Sequence, residues 1–171
     1  MTSLLMSKSR RAGVPAAAAA VALVFGLGAC SNSAAGDETE RNEDGEVVEG
    51  GDVGALVLKV GDCLAEPAVG EVEKVPVVPC SETHDSELFH SFMLTGDEYP
   101  GVDAIVEEVG TECIPEFATF MGIAYEESEW DISTIYPTQE TWDGIDDREV
   151  LCGVFPLSEE DTTGSARGIA E

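Results

Sequence analysis

Positive charge is what this chain has least of. Against 35 Asp and Glu it carries 8 Lys and Arg, a formal net charge of −27. Three of those bases, Lys8, Arg10 and Arg11, sit near its start, and none of the acids lies within residues 1–29. Residues 30–171 therefore hold all 35 acids against 5 bases. Such a surface repels phosphate backbones, which excludes a nucleic-acid partner. It equally repels anionic headgroups, so membrane attachment cannot come from a basic patch. What it favours is solubility, cations and basic partners. Catalytic signatures are missing as well: no H-E-x-x-H for zinc and no G-x-S-x-G elbow for a serine nucleophile. The one long apolar run covers residues 14–29 and opens Val14-Pro15. It is short for a helix that must cross roughly 30 Å of hydrocarbon.

That run has another reading. Lys8, Arg10 and Arg11 form a positive n-region, residues 14–29 an apolar h-region, and Leu27-Gly28-Ala29-Cys30 closes it as a lipobox does. Cleavage before Cys30 is expected to give a thiol that takes acyl chains, palmitate among them, and tethers the mature protein to the outer face of a membrane; the alternatives are an ordinary signal peptide cut elsewhere and an uncleaved anchor helix. Ser9-Arg10-Arg11 leaves the export route, Sec or Tat, open. The remaining cysteines, Cys63, Cys80, Cys113 and Cys152, are an even set in an exported chain, which predicts two disulfides. Their gaps of 17, 33 and 39 residues do not match the paired spacing of a structural zinc site.

Organisation follows composition. Residues 30–54 are Gly, Ser, Asn and acid with one arginine, too polar and too alike in charge to offset chain entropy, and read as a disordered acidic tether. Order is expected over residues 55–157, one modest core, with residues 158–171 a flexible tail. Residues 55–60 (ALVLKV) read as a strand stopped by Gly61-Asp62, and residues 72–78 as a second strand that Pro76 marks as edge or bulge. Antiparallel pairing of these two would bring Cys63 to Cys80. Residues 87–94 read as a strand covered on both sides, with a helix as the alternative for this run alone. Val102, Ile105, Val106, Val109, Cys113, Phe117, Phe120 and Met121 make one apolar helical stripe from about Val102 to Met121, with Gly122 as stop and Pro115 expected to kink or split it. Residues 132–136 and 148–155 read as strands joined by a turn-rich crossover over residues 138–147. Cys152 on the last strand can then staple the sheet to the helix through Cys113. The predicted fold is α+β: a small antiparallel sheet of four to six strands, one main helix packed on it, and the disulfides Cys63–Cys80 and Cys113–Cys152.

The ordered set of short motifs resembles a known family. Val60-Gly61-Asp62-Cys63-Leu64 and Val77-Val78-Pro79-Cys80-Ser81-Glu82-Thr83-His84-Asp85-Ser86-Glu87 come first, then Tyr99-Pro100-Gly101, Cys113 with Phe117, and Tyr136-Pro137-Thr138 leading to Trp142. Asp146-Asp147-Arg148-Glu149-Val150-Leu151-Cys152 and a closing Thr163-Gly164-Ser165-Ala166-Arg167-Gly168 complete it. Together they resemble the septum formation domain family of actinobacterial envelope proteins. Two departures stand out: Asp146 occupies the place of a usual glycine, and Thr83 that of a usual proline before the histidine. The resemblance implies a lipoprotein or single-span envelope protein linked to septum formation, with no enzymatic activity attached.

Several residues invite chemical roles. His84, beside Asp85 and Glu87, is of the residue type most often used as a general base, but no activated nucleophile accompanies it, and a packed histidine ordering the loop after Cys80 is the plainer reading. His84 and His90, six apart, are badly spaced for a shared metal. Residues 143–147 (DGIDD) lack the calcium-loop pattern; with Arg148 they read as a tight turn closed by an Arg–carboxylate pair. Trp142 reads as core cover, while Trp130, Trp142, Tyr125 and Tyr136 would also serve as an aromatic shelf for a glycan or peptide. The function expected is that of a non-catalytic, lipid-anchored extracytoplasmic envelope protein binding a protein or peptidoglycan partner, without cofactor or metal. The alternatives are an envelope-metabolism enzyme using His84 and nearby carboxylates, and an acidic cation-binding module.

Overall fold

A computed structural model describes residues 39–171 except 69 and 159. The expected signal segment and Cys30 lie outside the described residues, and among these no helix is long and apolar enough to cross a membrane. Order begins earlier than composition predicts. Strands β1 (Glu40–Arg41) and β2 (Val47–Glu49) form a hairpin, and β3 (Gly51–Gly54) pairs with the main sheet. The tether reading is therefore wrong for residues 39–54. Mean polarity misled because a few side chains suffice: Val53 is 0% exposed, and Val47 is buried with it. The single arginine counts too. The Arg41 guanidinium donates to both oxygens of Asp62 (2.5 and 3.0 Å), a carboxylate that also accepts the Lys59 N–H at 2.8 Å. Asp62 is 1% exposed, so this fork neutralises a charge that burial would otherwise penalise heavily.

Residues 55–60 do not form the expected strand. β3 already occupies the place beside the next long strand, and the chain turns away in a 3-10 turn at Ala55–Val57. Then come β4 (Cys63–Leu64), β5 (Lys74–Val78), β6 (Thr83–His84) and β7 (Ser86–Met93). Helix α1 (Val102–Met121), β8 (Trp130–Ile135), α2 (Gln139–Ile145), β9 (Glu149–Pro156) and β10 (Thr162–Thr163) follow. The main sheet has six strands in the order β3-β5-β4-β7-β9-β8, every neighbouring pair antiparallel. β5 is thus internal, against the edge reading of Pro76. A strand residue's N and C=O face the same neighbour. The Pro76 carbonyl accepts the Ala65 N–H, so its missing donor faces the side where two-residue β4 has just ended.

The sheet is covered on both faces, as the run at β7 predicts. Leu88 joins Val53, Leu64, Val75 and Val77 on one face, while Phe89 meets Phe117, Phe120 and Met121 of α1 on the other. A Cβ at Gly153 on β9 would lie 2.6 Å from the Ser133 hydroxyl and 3.3 Å from a Leu88 methyl, so any larger residue there obliges those side chains to shift. Both predicted disulfides are present. Cys63–Cys80 ties β4 to the end of β5 (Cα–Cα 5.2 Å), and Cys113–Cys152 staples α1 to β9 (6.2 Å). The architecture is the α+β fold read from the sequence.

Pro115 does not split α1, which runs unbroken from Val102 to Met121. The sheet and the staple two residues earlier at Cys113 hold the helix across the one hydrogen bond a proline cannot make. The crossover at residues 138–147 holds a helix instead of turns alone. Thr138 and Thr141 form a reciprocal capping box, each hydroxyl accepting the other's N–H (3.1 and 3.0 Å), and this starts α2 despite Gly144.

The tail is ordered as well, a second correction. β10 pairs with β6 (Thr162↔His84, Thr163↔Thr83), and Ala166 is buried against α1. The Gly168 and Ala170 N–H groups donate to the Phe120 and Met121 carbonyls, which no helical donor reaches at a C-terminus. The tail is thus the cap of α1, a role that its small polar composition conceals.

Candidate functional site

The loop from Cys80 to Glu87 and the closing tail stand 78 residues apart in sequence, yet they form one structure. A turn closes with Glu82 N–H on the Pro79 carbonyl, and Asp85 N–H donates to the Leu64 carbonyl. Gly164 N–H donates to the Cys80 carbonyl at 2.7 Å. Glu87 then points at the tail: one carboxylate oxygen accepts the Ser165 hydroxyl at 2.8 Å, the other the Ala166 N–H at 2.7 Å. Glu87 is 5% exposed, so these charge-assisted bonds are what make its burial tolerable.

His84 is 2% exposed on β6, and its Nδ1 lies 2.9 Å from the Glu82 carbonyl. A carbonyl only accepts, so Nδ1 carries the proton and the ring is oriented by the backbone. Asp85 is the titratable group here that its surroundings perturb. Burial pushes its carboxyl above the ordinary 3.8 and the Asp161 charge adds to the rise, while the Ser86 hydroxyl and His84 oppose it. His90 lies elsewhere, on β7 opposite Cys152, so the two histidines do not converge. Among the described residues, the cluster with metal-ligand spacing is Cys63, Cys80 and Glu87. Its two sulfurs are bonded to each other, which removes the thiolates a metal would need.

Trp142 is buried in a third small core with Leu94, Ile105 and Val150. The Arg148 guanidinium lies 3.6 Å from its ring centroid, and one arm donates to the Trp142 and Asp147 carbonyls (3.0 and 2.8 Å). The other arm pairs with Asp146 at 2.8 Å, and Asp146 takes the left-handed conformation (φ 60°) that glycine adopts most readily. Arg148 thus closes the end of α2 over an indole. The aromatic shelf does not assemble. Trp130 packs with the α1 cluster, where Tyr125 flanks it, while Trp142 and Tyr136 belong to the third core. A hydrogen bond to Asp131 (2.5 Å) foremost, then burial, holds the Tyr125 phenol above its ordinary 10.0.

One cavity, about 700 Å³, opens where the ends of β8 and β9 meet the tail. Trp130, Pro156 and Leu157 line it together with the segment carrying β10. Glu129, Glu160, Asp161 and Glu171 are among its lining residues, and among the described residues no lysine or arginine is. Composition announced the acidity, but only the folding back of the tail makes it concave. The Glu87 clasp had no sequence signal beyond the spacing of the family's motifs.

A family model described as Septum formation matches residues 60–171. No curated protein and no solved structure matches the chain. The matched stretch takes in both cysteine pairs, the Cys80–Glu87 loop and the tail that Glu87 clasps, most of the folded unit, and on that match the chain belongs to the septum formation family.

Proposed function

We propose that this protein is a lipid-anchored, non-catalytic module on the outer face of the cell membrane, binding a protein or peptidoglycan partner in septum formation. The observation that carries this reading is the use to which the loop's reactive groups are put. Cys63 and Cys80 are bonded together, His84 is buried against a carbonyl, and Glu87 holds the tail. Each candidate for nucleophile or base has a structural partner, while the cavity beside them offers carboxylates, hydroxyls and apolar surface suited to holding a partner. Family membership supports a role in division or the envelope. The lipobox at Leu27-Gly28-Ala29-Cys30 supports the anchor, and oxidised cysteines fit an exported chain.

Two experiments test it. Cys30→Ala should move the protein from the membrane fraction to the soluble one; a variant that stays membrane-bound refutes lipid anchoring. In-cell crosslinking of the tagged, lipidated protein should capture a division or wall component, with fluorescence enriched at septa. A uniform perimeter and no specific adduct would refute the binding role.

A further inference from the structure

We propose that the cavity between β8 and the tail docks a basic segment of a partner polypeptide, with Lys or Arg residues spaced around an apolar side chain. This deepens the partner-binding reading above and rests on it. Charge gives the sign of the ligand. Four acidic residues from three stretches, Glu129, Glu160 with Asp161, and Glu171, line the cavity, and among the described residues no base does. The nearest basic residue in sequence, Arg167, lies over the Phe120 ring at 4.5 Å.

Spacing tells a polypeptide from an ion. Among the described residues, no three of these carboxylates approach within the 4.8 Å that brings ligands onto one cation. Acids that do not converge on one point suit several separate charges better than a single ion. The apolar rim supplies the rest: Leu157 is 58% exposed and Ile169 40%, both at the cavity. Lys and Arg lay their aliphatic stems along such surface while their heads reach for carboxylates. A volume of about 700 Å³ falls within the range of about 300–1,000 Å³ typical of ligand pockets, enough for a short stretch of side chains.

The test uses the full-length lipidated protein in detergent and two fluorescein-labelled hexapeptides, Ala-Lys-Leu-Arg-Phe-Ala and Ala-Glu-Leu-Glu-Phe-Ala, read by anisotropy. The basic peptide should bind saturably, more weakly as salt rises, with the acidic peptide at least about tenfold weaker. Glu160→Gln with Asp161→Asn should weaken the basic peptide by roughly three- to tenfold, since exposed ion pairs are individually modest. Leu157→Ser should also weaken it, and Val106→Ser, on the exposed side of α1, should not. No saturable binding, equal binding of the acidic peptide, or displacement by stoichiometric calcium would overturn the proposal. A photocrosslinker placed in cells at residue 157 or at residue 106 separates the two levels. A partner captured at 106 and not at 157 overturns the cavity as the site and leaves the binding role standing. Capture at neither overturns the role itself. Capture at 157 supports the proposal when the Glu160→Gln, Asp161→Asn pair abolishes it.

Discussion

Removing the Glu87 carboxylate should release the tail. Its two oxygens hold the Ser165 hydroxyl and the Ala166 N–H, and hydrogen bonds to a charged group contribute about 1.5–3 kcal/mol each. In Glu87→Ala the exposed Ser165 hydroxyl returns to water, but the Ala166 N–H belongs to a residue 3% exposed and is left without its acceptor. We therefore expect tail closure to lose about 3 kcal/mol. At about 1.4 kcal/mol per factor of ten, hydrogen exchange at the Ala166 amide should be roughly 100-fold faster. Glu87→Gln is the informative companion. Its carbonyl can accept from Ala166 while its amide donates to the Ser165 oxygen, so geometry survives and only charge assistance is lost, about 1 kcal/mol or roughly fivefold in exchange. Trypsin cleavage after Arg167 should follow the same order, Ala fastest and wild type slowest. The tail has other holds, at Cys80, Phe120 and Met121, so the effect should concentrate at residues 165 and 166. An Ala166 amide as protected in Glu87→Ala as in wild type would refute the clasp. A Gln variant as damaged as the Ala variant would show that charge, not hydrogen-bond geometry, holds the tail.

Deleting residues 1–54 should unfold or aggregate the domain, whereas deleting residues 1–38 should leave its melting temperature unchanged. The larger deletion removes Val53 and the β3 ladder and strips Asp62 of Arg41, and breaking a buried pair alone costs about 3–5 kcal/mol; equal melting of both truncations would contradict this. The Cys113→Ala, Cys152→Ala double variant should lose about 4 kcal/mol in denaturant unfolding, from the roughly 40-residue loop that the bond closes; free thiols or crossed pairs on mapping the unreduced protein would refute the staple. Burial holds Asp85 above 3.8, so just above that pH the folded state keeps a proton that the unfolded chain releases, and stability falls as pH rises through the window. Asp85→Asn removes that slope, so its melting temperature relative to wild type should climb with pH above 3.8 and then level off; a flat difference would sink the assignment.

Local pattern made much of this fold legible. The stripe from Val102 to Met121 with Gly122 behind it is α1, and the runs at residues 87–94, 132–136 and 148–155 are β7, β8 and β9, because long periodic segments carry their own structural preference. Cys113–Cys152 follows from packing the helix on the last strand, whereas Cys63 meets Cys80 through β4 paired with β5 and not through a strand at residues 55–60. The errors lie where the deciding partner is distant. The run at residues 55–60 looks like a strand, but β3 had taken its neighbour. α2 rests on a threonine pair where a Thr–Glu box would have been recognisable.

The amino-acid sequence by itself determined the acidity, the four cysteines of the two disulfides, the main helix and the family, since each is written in adjacent residues or in their order. Only tertiary structure decided that residues 40–54 and 160–171 belong to the domain, that Arg41 answers Asp62 and Glu87 the tail, and that scattered carboxylates surround a cavity. The physical reason is common to all three. A polar segment has no apolar period to announce it, and its order comes from hydrogen bonds and ion pairs to groups that are near only once the chain has folded.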